Sequence, residues 1–212
     1  MDDLNQSMND LNQTIPRAAA RLAMPVGAAL QVLADHRGED QIVVTSQGSA
    51  REWPKLCEHP LDFHYIPSAM SGNIPLGLGL ALAQPHRHVL AFTGDGSLLM
   101  NLGSLVTIVA SGAANLTVVL VDNGVYEVTG GQKTAASDRD VDFAGFARAA
   151  GFPTVGHFDQ LDAWQRAAAE LLQRPGPRFI SLVVEAVSEN YILDPPCPIV
   201  DQIARLRAAL LR

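Results

Sequence analysis

The chain has 212 residues, which is long enough for one sizeable hydrophobic core. Its formal net charge of −7 argues against a nucleic-acid partner and against binding to an anionic membrane surface. The two cysteines, Cys57 and Cys197, are too few to hold an iron–sulfur cluster and form no CxxC motif, so they favour a reducing compartment.

The chain begins with a polar segment, and residues 1–15 are predicted to form a disordered tail. This segment lacks the basic and apolar regions of a signal peptide, and no later run is long enough to span a membrane. We therefore expect a cytoplasmic protein. Residues 16–212 are predicted to form a single domain.

Strand-length and helix-length apolar segments alternate along this domain. The first half predicts a helix from Pro25 to about Gly38, a strand over 41–46, an extended segment over 59–66 and a helix that Asn73 could cap. The second half predicts strands over 88–93, 116–121, 153–156 and 178–185, and helices over 98–110, 142–150, 161–173 and 199–212. The long, Gly-rich segment at 124–140 is typical of functional lids. This rhythm predicts an α/β fold, with a mostly parallel twisted sheet and helices on both faces.

Two polar motifs directly follow neighbouring strands of the predicted sheet. Residues 94–97 read Gly-Asp-Gly-Ser, and the next strand is followed by an Asp-Asn pair that ends at Asn123. Ligands of open α/β sheets bind beyond the carboxyl ends of the strands, so Asp95 and Asn123 should lie side by side and offer oxygen atoms to Mg²⁺. Gly96 and Ser97 would present backbone N–H groups to a phosphate at a helix N-terminus. The motifs together predict a site for Mg²⁺ and a diphosphate.

The spacing of these motifs resembles the cofactor motif of thiamine diphosphate (ThDP) enzymes, in which Gly-Asp-Gly precedes an Asn by roughly 24 to 27 residues. A lone Gly-Asp-Gly also makes ordinary turns. The strings Asp-Asn-Gly-Val-Tyr at 122–126 and Thr-Gly-Gly-Gln at 129–132 are more specific. Because of these strings, the chain resembles the sulfopyruvate and phosphonopyruvate decarboxylases in particular. This resemblance covers about residues 25–187 and implies the ThDP-binding fold with bound ThDP and Mg²⁺.

The resemblance also implies which residues hold the cofactor. The metal ligands would be the Asp95 carboxylate, the Asn123 side chain and the carbonyl group of Val125. Met70 would be the apolar wedge that keeps ThDP bent, although a core methionine is the alternative. The other implied cofactor contacts are Gln47, Gly48, the carbonyl group of Ser68, Gly94, Gly96, Ser97 and Tyr126.

The sequence leaves the effect of three features of this region open. Related chains usually read Gly-Ser-Met-Gly around the wedge, whereas residues 68–71 read Ser-Ala-Met-Ser, and the added side chains could narrow the substrate cavity. Glu127, just beyond the predicted metal loop, could act in proton transfer or could be a solvated loop residue. Lys133 could likewise meet an anionic substrate group or lie on the surface.

A ThDP enzyme of this kind needs a glutamate from a pyrimidine-binding domain, and this chain has room for only one domain. The resemblance therefore implies a pyrimidine-binding α subunit that supplies the activating glutamate in an α2β2 or larger hetero-oligomer. The chain alone should bind ThDP weakly and not turn over. The implied reaction is decarboxylation of a small 2-oxo acid, which makes the assembly a lyase. The alternatives are a subunit of an acetolactate synthase-type carboligase and a non-catalytic ThDP-binding regulatory subunit.

Overall fold

The computed structural model describes residues 22–65, 69–137, 141–187 and 195–212. The predicted tail at residues 1–15 and the predicted cofactor contact Ser68 lie outside the described residues. Among the described helices, none combines the length and the apolar character needed to cross a membrane.

The described strands form one sheet and one small hairpin. They are β1 Ile42–Thr45, β2 Asp62–His64, β3 Val89–Gly94, β4 Leu116–Asp122, β5 Val125–Tyr126, β6 Gln132–Lys133, β7 Thr154–Phe158 and β8 Arg178–Val183. Six of these strands pair in parallel in the order β2-β1-β3-β4-β8-β7, and β5 pairs with β6 in antiparallel fashion. The chain places β2 on one side of β1 and β3 on the other, so the strand order reverses between β1 and β3. Open α/β sheets bind ligands at such a point.

Helices cover both faces of the sheet. They are α1 Val26–Asp35, α2 Gln47–Glu52, α3 Asn73–Ala83, α4 Asp95–Leu99, α5 Gly103–Ser111, α6 Phe143–Ala150, α7 Leu161–Gln173 and α8 Ile199–Leu210. Residues of α1 and α7 share one core with Trp53, and residues of α3, α5, α6 and α8 share the core on the other face.

Side chains along each strand alternate between these two cores. In β1, Val43 packs into the core with α1, whereas Ile42 and Val44 pack into the core with α3. In β4, Val119 likewise packs into the core with α1, and Val118 packs into the core with α3. The strands are therefore buried on both faces, which explains their nearly continuous apolar sequence and confirms the predicted fold class.

Several helices and strands begin or end at other residues than the sequence predicted. The helix predicted over 98–110 is two helices, α4 and α5, and between them the hydroxyl of Ser104 donates to the Asn101 carbonyl at 2.7 Å. Asn73 does not cap α3. It is the first helical residue, and its buried amide has no hydrogen-bond partner among the described residues. The first helix ends at Asp35 rather than near Gly38, because His36 Nδ1 lies 2.7 Å from the Val32 carbonyl oxygen and completes the last turn.

The strands predicted over 41–46 and 178–185 are shorter than predicted, and the extended segment predicted over 59–66 contains β2. The segment predicted as a long lid contains the β5–β6 hairpin and a 3₁₀ turn at Glu127–Thr129. By contrast, the helix predicted over 161–173 has the predicted limits, and Asp142 caps α6 as its position before that helix suggests.

Candidate functional site

A cleft of about 260 Å³ opens at the carboxyl edge of the sheet, where the strand order reverses. Its walls come from the β1–α2 turn, the loop before α3, the β3–α4 turn and the segment after β4. The predicted site residues that line it are Gln47, Gly48, Met70, Gly94, Asp95, Gly96, Ser97, Asn123, Val125, Tyr126 and Glu127. The fold thus brings every described member of the predicted site into one cleft, and their individual roles stay predictions.

The β1–α2 turn presents Gln47 and Gly48 to the cleft. The Ser49 hydroxyl donates to the Ser46 carbonyl at 2.7 Å and accepts from the Ser46 amide at 3.1 Å, which closes the first turn of α2. Gln47 has φ of 46°, in the left-handed region that non-glycine residues seldom adopt. Backbone strain of this kind is often found at functional sites.

The loop before α3 carries Met70, which is 36% exposed and lines the cleft. The next residue, Ser71, is buried with φ of 67°, and its hydroxyl donates to the backbone carbonyl of Ser97. The loop that carries the predicted wedge is therefore attached directly to the β3–α4 turn.

Asp95 is the first residue of α4, and its carboxylate is 1% exposed. The pKa of Asp95 is raised to about 6, mainly by burial and in part by the like charge of Asp122, although a hydrogen bond from Thr134 opposes the rise. Thr134 Oγ1 donates to Asp95 Oδ2 at 2.6 Å. This carboxylate is thus buried and held by a neutral hydroxyl group. A cation beside it would offset the cost of its buried charge.

Asn123 directly follows β4, and its side-chain oxygen accepts from the Val125 amide at 3.0 Å. Gly124 between them has φ of 73°. An amide oxygen has two lone pairs, so this turn fixes the Asn123 side chain and still leaves acceptor capacity for a metal ion. A buried carboxylate and a fixed amide oxygen in one cleft are hard oxygen donors of the kind that Mg²⁺ prefers.

Gly96 and Tyr126 meet at the start of α4. A Cβ atom at Gly96 would lie 2.2 Å from Cε1 of Tyr126, so only glycine leaves room for the ring. The second glycine of the Gly-Asp-Gly motif is therefore needed for close packing at the edge of the predicted diphosphate site.

The β5–β6 hairpin brings two residues to the site that the sequence did not indicate. Thr134 is buried against Asp95, and Ser137 lies beside it with its hydroxyl donating to the Gly124 carbonyl. The segment has no helical or strand periodicity that could have placed them. Its Thr and Ser side chains could have indicated polar contacts in the site, but such side chains are equally typical of solvated loops.

Glu127 lines the cleft, but its Oε1 atom also accepts from the Val187 amide at 2.9 Å. This contact ties the segment after β4 to the segment after β8. Lys133 is exposed on β6. A role in proton transfer for Glu127 and a role in substrate binding for Lys133 stay untested.

Comparisons with known proteins agree with this geometry. Residues 47–182 match the family described as thiamine pyrophosphate enzyme, C-terminal TPP binding domain, where thiamine pyrophosphate is another name for ThDP. The chain is 35% identical to a phosphonopyruvate decarboxylase of Streptomyces viridochromogenes over 211 residues, covering 93% of this chain and 52% of that protein. It is 38% identical to sulfopyruvate decarboxylase subunit beta of Methanothermobacter thermautotrophicus over 148 residues, covering 69% of this chain and 75% of that subunit.

The chain thus spans about half the length of the first of these relatives and most of the second. Among solved structures, it resembles a Mycobacterium smegmatis protein described as thiamin diphosphate-dependent, with a TM-score of 0.65 at 19% identity. That match covers 82% of this chain and 34% of the other, and it supports the fold alone.

Proposed function

Because this chain belongs to the thiamine pyrophosphate enzymes, through their C-terminal TPP-binding domain, we propose that it is the diphosphate-binding β subunit of a two-subunit, Mg²⁺-dependent 2-oxoacid decarboxylase. One observation carries the proposal. The buried Asp95 carboxylate and the fixed Asn123 amide line the same cleft as Met70, at the point where the strand order reverses.

The residues of this chain bind and orient the cofactor in this proposal. The Asp95 carboxylate, the Asn123 side chain and the Val125 carbonyl group would hold Mg²⁺ and the diphosphate, and Met70 would contact the cofactor from the loop before α3. The remaining diphosphate contacts are Gln47, Gly48, Gly96 and Ser97. When bound, ThDP supplies the electron sink for loss of CO₂ from a 2-oxo acid.

The proposal includes a partner subunit. A pyrimidine-binding α subunit would cover the cleft and supply the activating glutamate. The relative that matches over most of its own length is named as a subunit beta, which supports a partner of this kind. The substrate class that the relatives' names support is a sulfonated or phosphonated pyruvate.

Calorimetric titration of ThDP tests the cofactor assignment. The chain is titrated alone and with the proposed pyrimidine-binding α subunit, with and without Mg²⁺, as wild type and as Asp95→Asn. We expect tight binding only with both the partner and Mg²⁺, and loss of binding in Asp95→Asn. Asp162→Asn, an exposed carboxylate on α7, is the matched control and should bind like wild type. Absence of Mg²⁺-dependent binding in every combination would refute the assignment.

Assays of the complex with sulfopyruvate, phosphonopyruvate and pyruvate then test the reaction. Release of CO₂ with the matching aldehyde as product supports a decarboxylase. Formation of acetolactate from pyruvate would show a carboligase instead, and tight ThDP binding without turnover of any 2-oxo acid would point to a regulatory subunit.

A further inference from the structure

We infer that Thr134 is a positioning residue for the predicted Mg²⁺ site, where it joins the Asp95 carboxylate to the loop that carries Asn123. The inference rests on the proposed function, because it concerns the same site. It adds a residue that lies 39 positions along the chain from Asp95 and is not among the site residues predicted from the sequence.

The first observation is the side-chain contact. Thr134 Oγ1 donates to Asp95 Oδ2 at 2.6 Å, and the two side chains are 4% and 1% exposed. A hydrogen bond to an ionised group is short and strong, and water competes little for a pair this deeply buried. The hydroxyl group therefore fixes the orientation of the carboxylate and engages one of its two oxygen atoms.

The second observation is the backbone contact of the same residue. The Thr134 amide donates to the Gly124 carbonyl at 2.9 Å, and Gly124 lies between Asn123 and Val125, which are the other two predicted metal ligands. The Ser137 hydroxyl donates to the same carbonyl and lies 3.3 Å from Thr134 Oγ1. One residue thus contacts both sides of the predicted site.

The hairpin explains how Thr134 reaches this place. Val125 pairs with Lys133 and Tyr126 pairs with Gln132, so Thr134 directly follows the last paired residue. The Gly131 amide donates to the Tyr126 carbonyl at 2.9 Å and closes the turn. Because the hairpin begins at the predicted ligand Val125, its pairing fixes Thr134 relative to the metal loop.

A metal ligand that is already oriented loses less conformational freedom when the ion binds. Groups that hydrogen-bond to metal ligands from outside the coordination shell typically contribute about 10–100-fold to metal affinity. We therefore expect Thr134 to act on Mg²⁺ affinity through Asp95. If Thr134 served only to hold the hairpin, its loss would lower stability and leave Mg²⁺ affinity unchanged.

The experiment compares Thr134→Val, which keeps the shape and removes the hydroxyl group, with Thr134→Ser, which keeps the hydroxyl group. Thr154→Val is the matched control, because Thr154 is as buried as Thr134 and its hydroxyl donates to the Pro175 carbonyl rather than to Asp95. Each variant is assembled with the partner subunit, and Mg²⁺ is titrated by calorimetry at saturating ThDP. Thermal unfolding without Mg²⁺ is measured in parallel.

We expect Mg²⁺ affinity to fall about 10–100-fold in Thr134→Val, and to stay within about threefold of wild type in Thr134→Ser and Thr154→Val. If Thr134→Val does not fold, Thr134→Ala is the variant compared with Thr134→Ser. Wild-type Mg²⁺ affinity in the variant without the hydroxyl, or equal losses in the Ser and Val variants, would overturn the inference. A wild-type complex that binds ThDP without any need for Mg²⁺ would instead refute the proposed function.

Discussion

Ser71 occupies a backbone conformation that costs a non-glycine residue about 1–2 kcal/mol, with φ of 67°. The motif of related chains has glycine at this position, where the conformation carries no such cost. Ser71 is buried, and its hydroxyl donates to the Ser97 carbonyl. The serine thus provides a link between the loop of Met70 and the β3–α4 turn that glycine cannot make, and this bond offsets the backbone strain.

Substitutions at Ser71 separate these two effects. Ser71→Ala loses the hydrogen bond and keeps the strain, so we expect it to lower the free energy of unfolding by about 1 kcal/mol. Ser71→Gly loses the same bond but relieves the strain, so its stability should stay near that of wild type. Urea unfolding of the chain measures both values.

The same pair of substitutions at Thr107, an exposed position inside α5, should give the opposite order. There alanine should exceed glycine in stability by about 1 kcal/mol, because the backbone is helical. An alanine variant at position 71 that is more stable than the glycine variant would contradict the role of the left-handed conformation.

At the scale of elements, α8 is joined to β2 at the edge of the sheet through buried polar groups. Gln202 Oε1 accepts from the His64 amide at 2.9 Å, and Gln202 Nε2 donates to the Cys197 carbonyl at 3.0 Å. His64 Nδ1 lies 2.8 Å from Thr45 Oγ1. The helix therefore covers an edge strand that would otherwise expose unpaired backbone groups.

His64 makes this junction sensitive to acid. Burial, together with the positive charges of Arg205 and Arg37, lowers the pKa of His64 from 6.5 to about 4. Between pH 6.5 and pH 4 the unfolded chain therefore binds a proton that the folded chain does not, and stability falls as the pH falls. We expect this histidine to account for a loss of about 2 kcal/mol between pH 7 and pH 5.

His64→Gln tests this expectation, because glutamine keeps a polar group near Thr45 and does not titrate. The free energy of unfolding of this variant should fall less than that of wild type between pH 7 and pH 5. His86→Gln, which removes an exposed histidine, should follow the wild-type pH profile. If His64→Gln loses as much stability as wild type, another group is responsible for the acid sensitivity.

The elements differ in how well the sequence could predict them. Helix α7 has an amphipathic pattern along its whole length, and α6 has Asp142 at its start and Gly151 at its end, so local chemistry defines both. The break between α4 and α5 depends on the direction in which the chain continues after β3. The spacing of apolar residues along the sequence does not indicate it. The two motifs predicted that Asp95 and Asn123 lie together, because parallel strands end at one edge. Thr134 could not be predicted, since its contact depends on a hairpin of two-residue strands.

At the scale of the whole molecule, the exposed surface formed by α3 and α5 is as poor in charged residues as a protein interior. Neither α3 nor α5 contains a charged residue, although surface helices normally carry charges on their outer face. Leu82 on α3 and Val106 on α5 are 55% and 59% exposed. A Cβ atom added at Gly79 would meet nothing within 4 Å, so another backbone could approach closely there. The first turn of α3 follows Met70, so one end of this surface lies near the cleft, and we propose that the partner subunit covers both.

Charged substitutions on this surface should therefore prevent assembly without unfolding the chain. Leu82→Glu and Val106→Glu would each bury an unpaired carboxylate under the partner, which costs several kcal/mol, so affinity for the partner should fall by at least about tenfold.

Gln165→Glu adds the same charge on α7, on the opposite face of the sheet, and should assemble like wild type. Light scattering of each chain mixed with the partner measures assembly, and thermal unfolding of the chain alone checks that it folds. Because the proposed cofactor site needs the partner, the two variants should lose ThDP binding together with the partner. Normal assembly of both variants would place the partner on another face of the molecule.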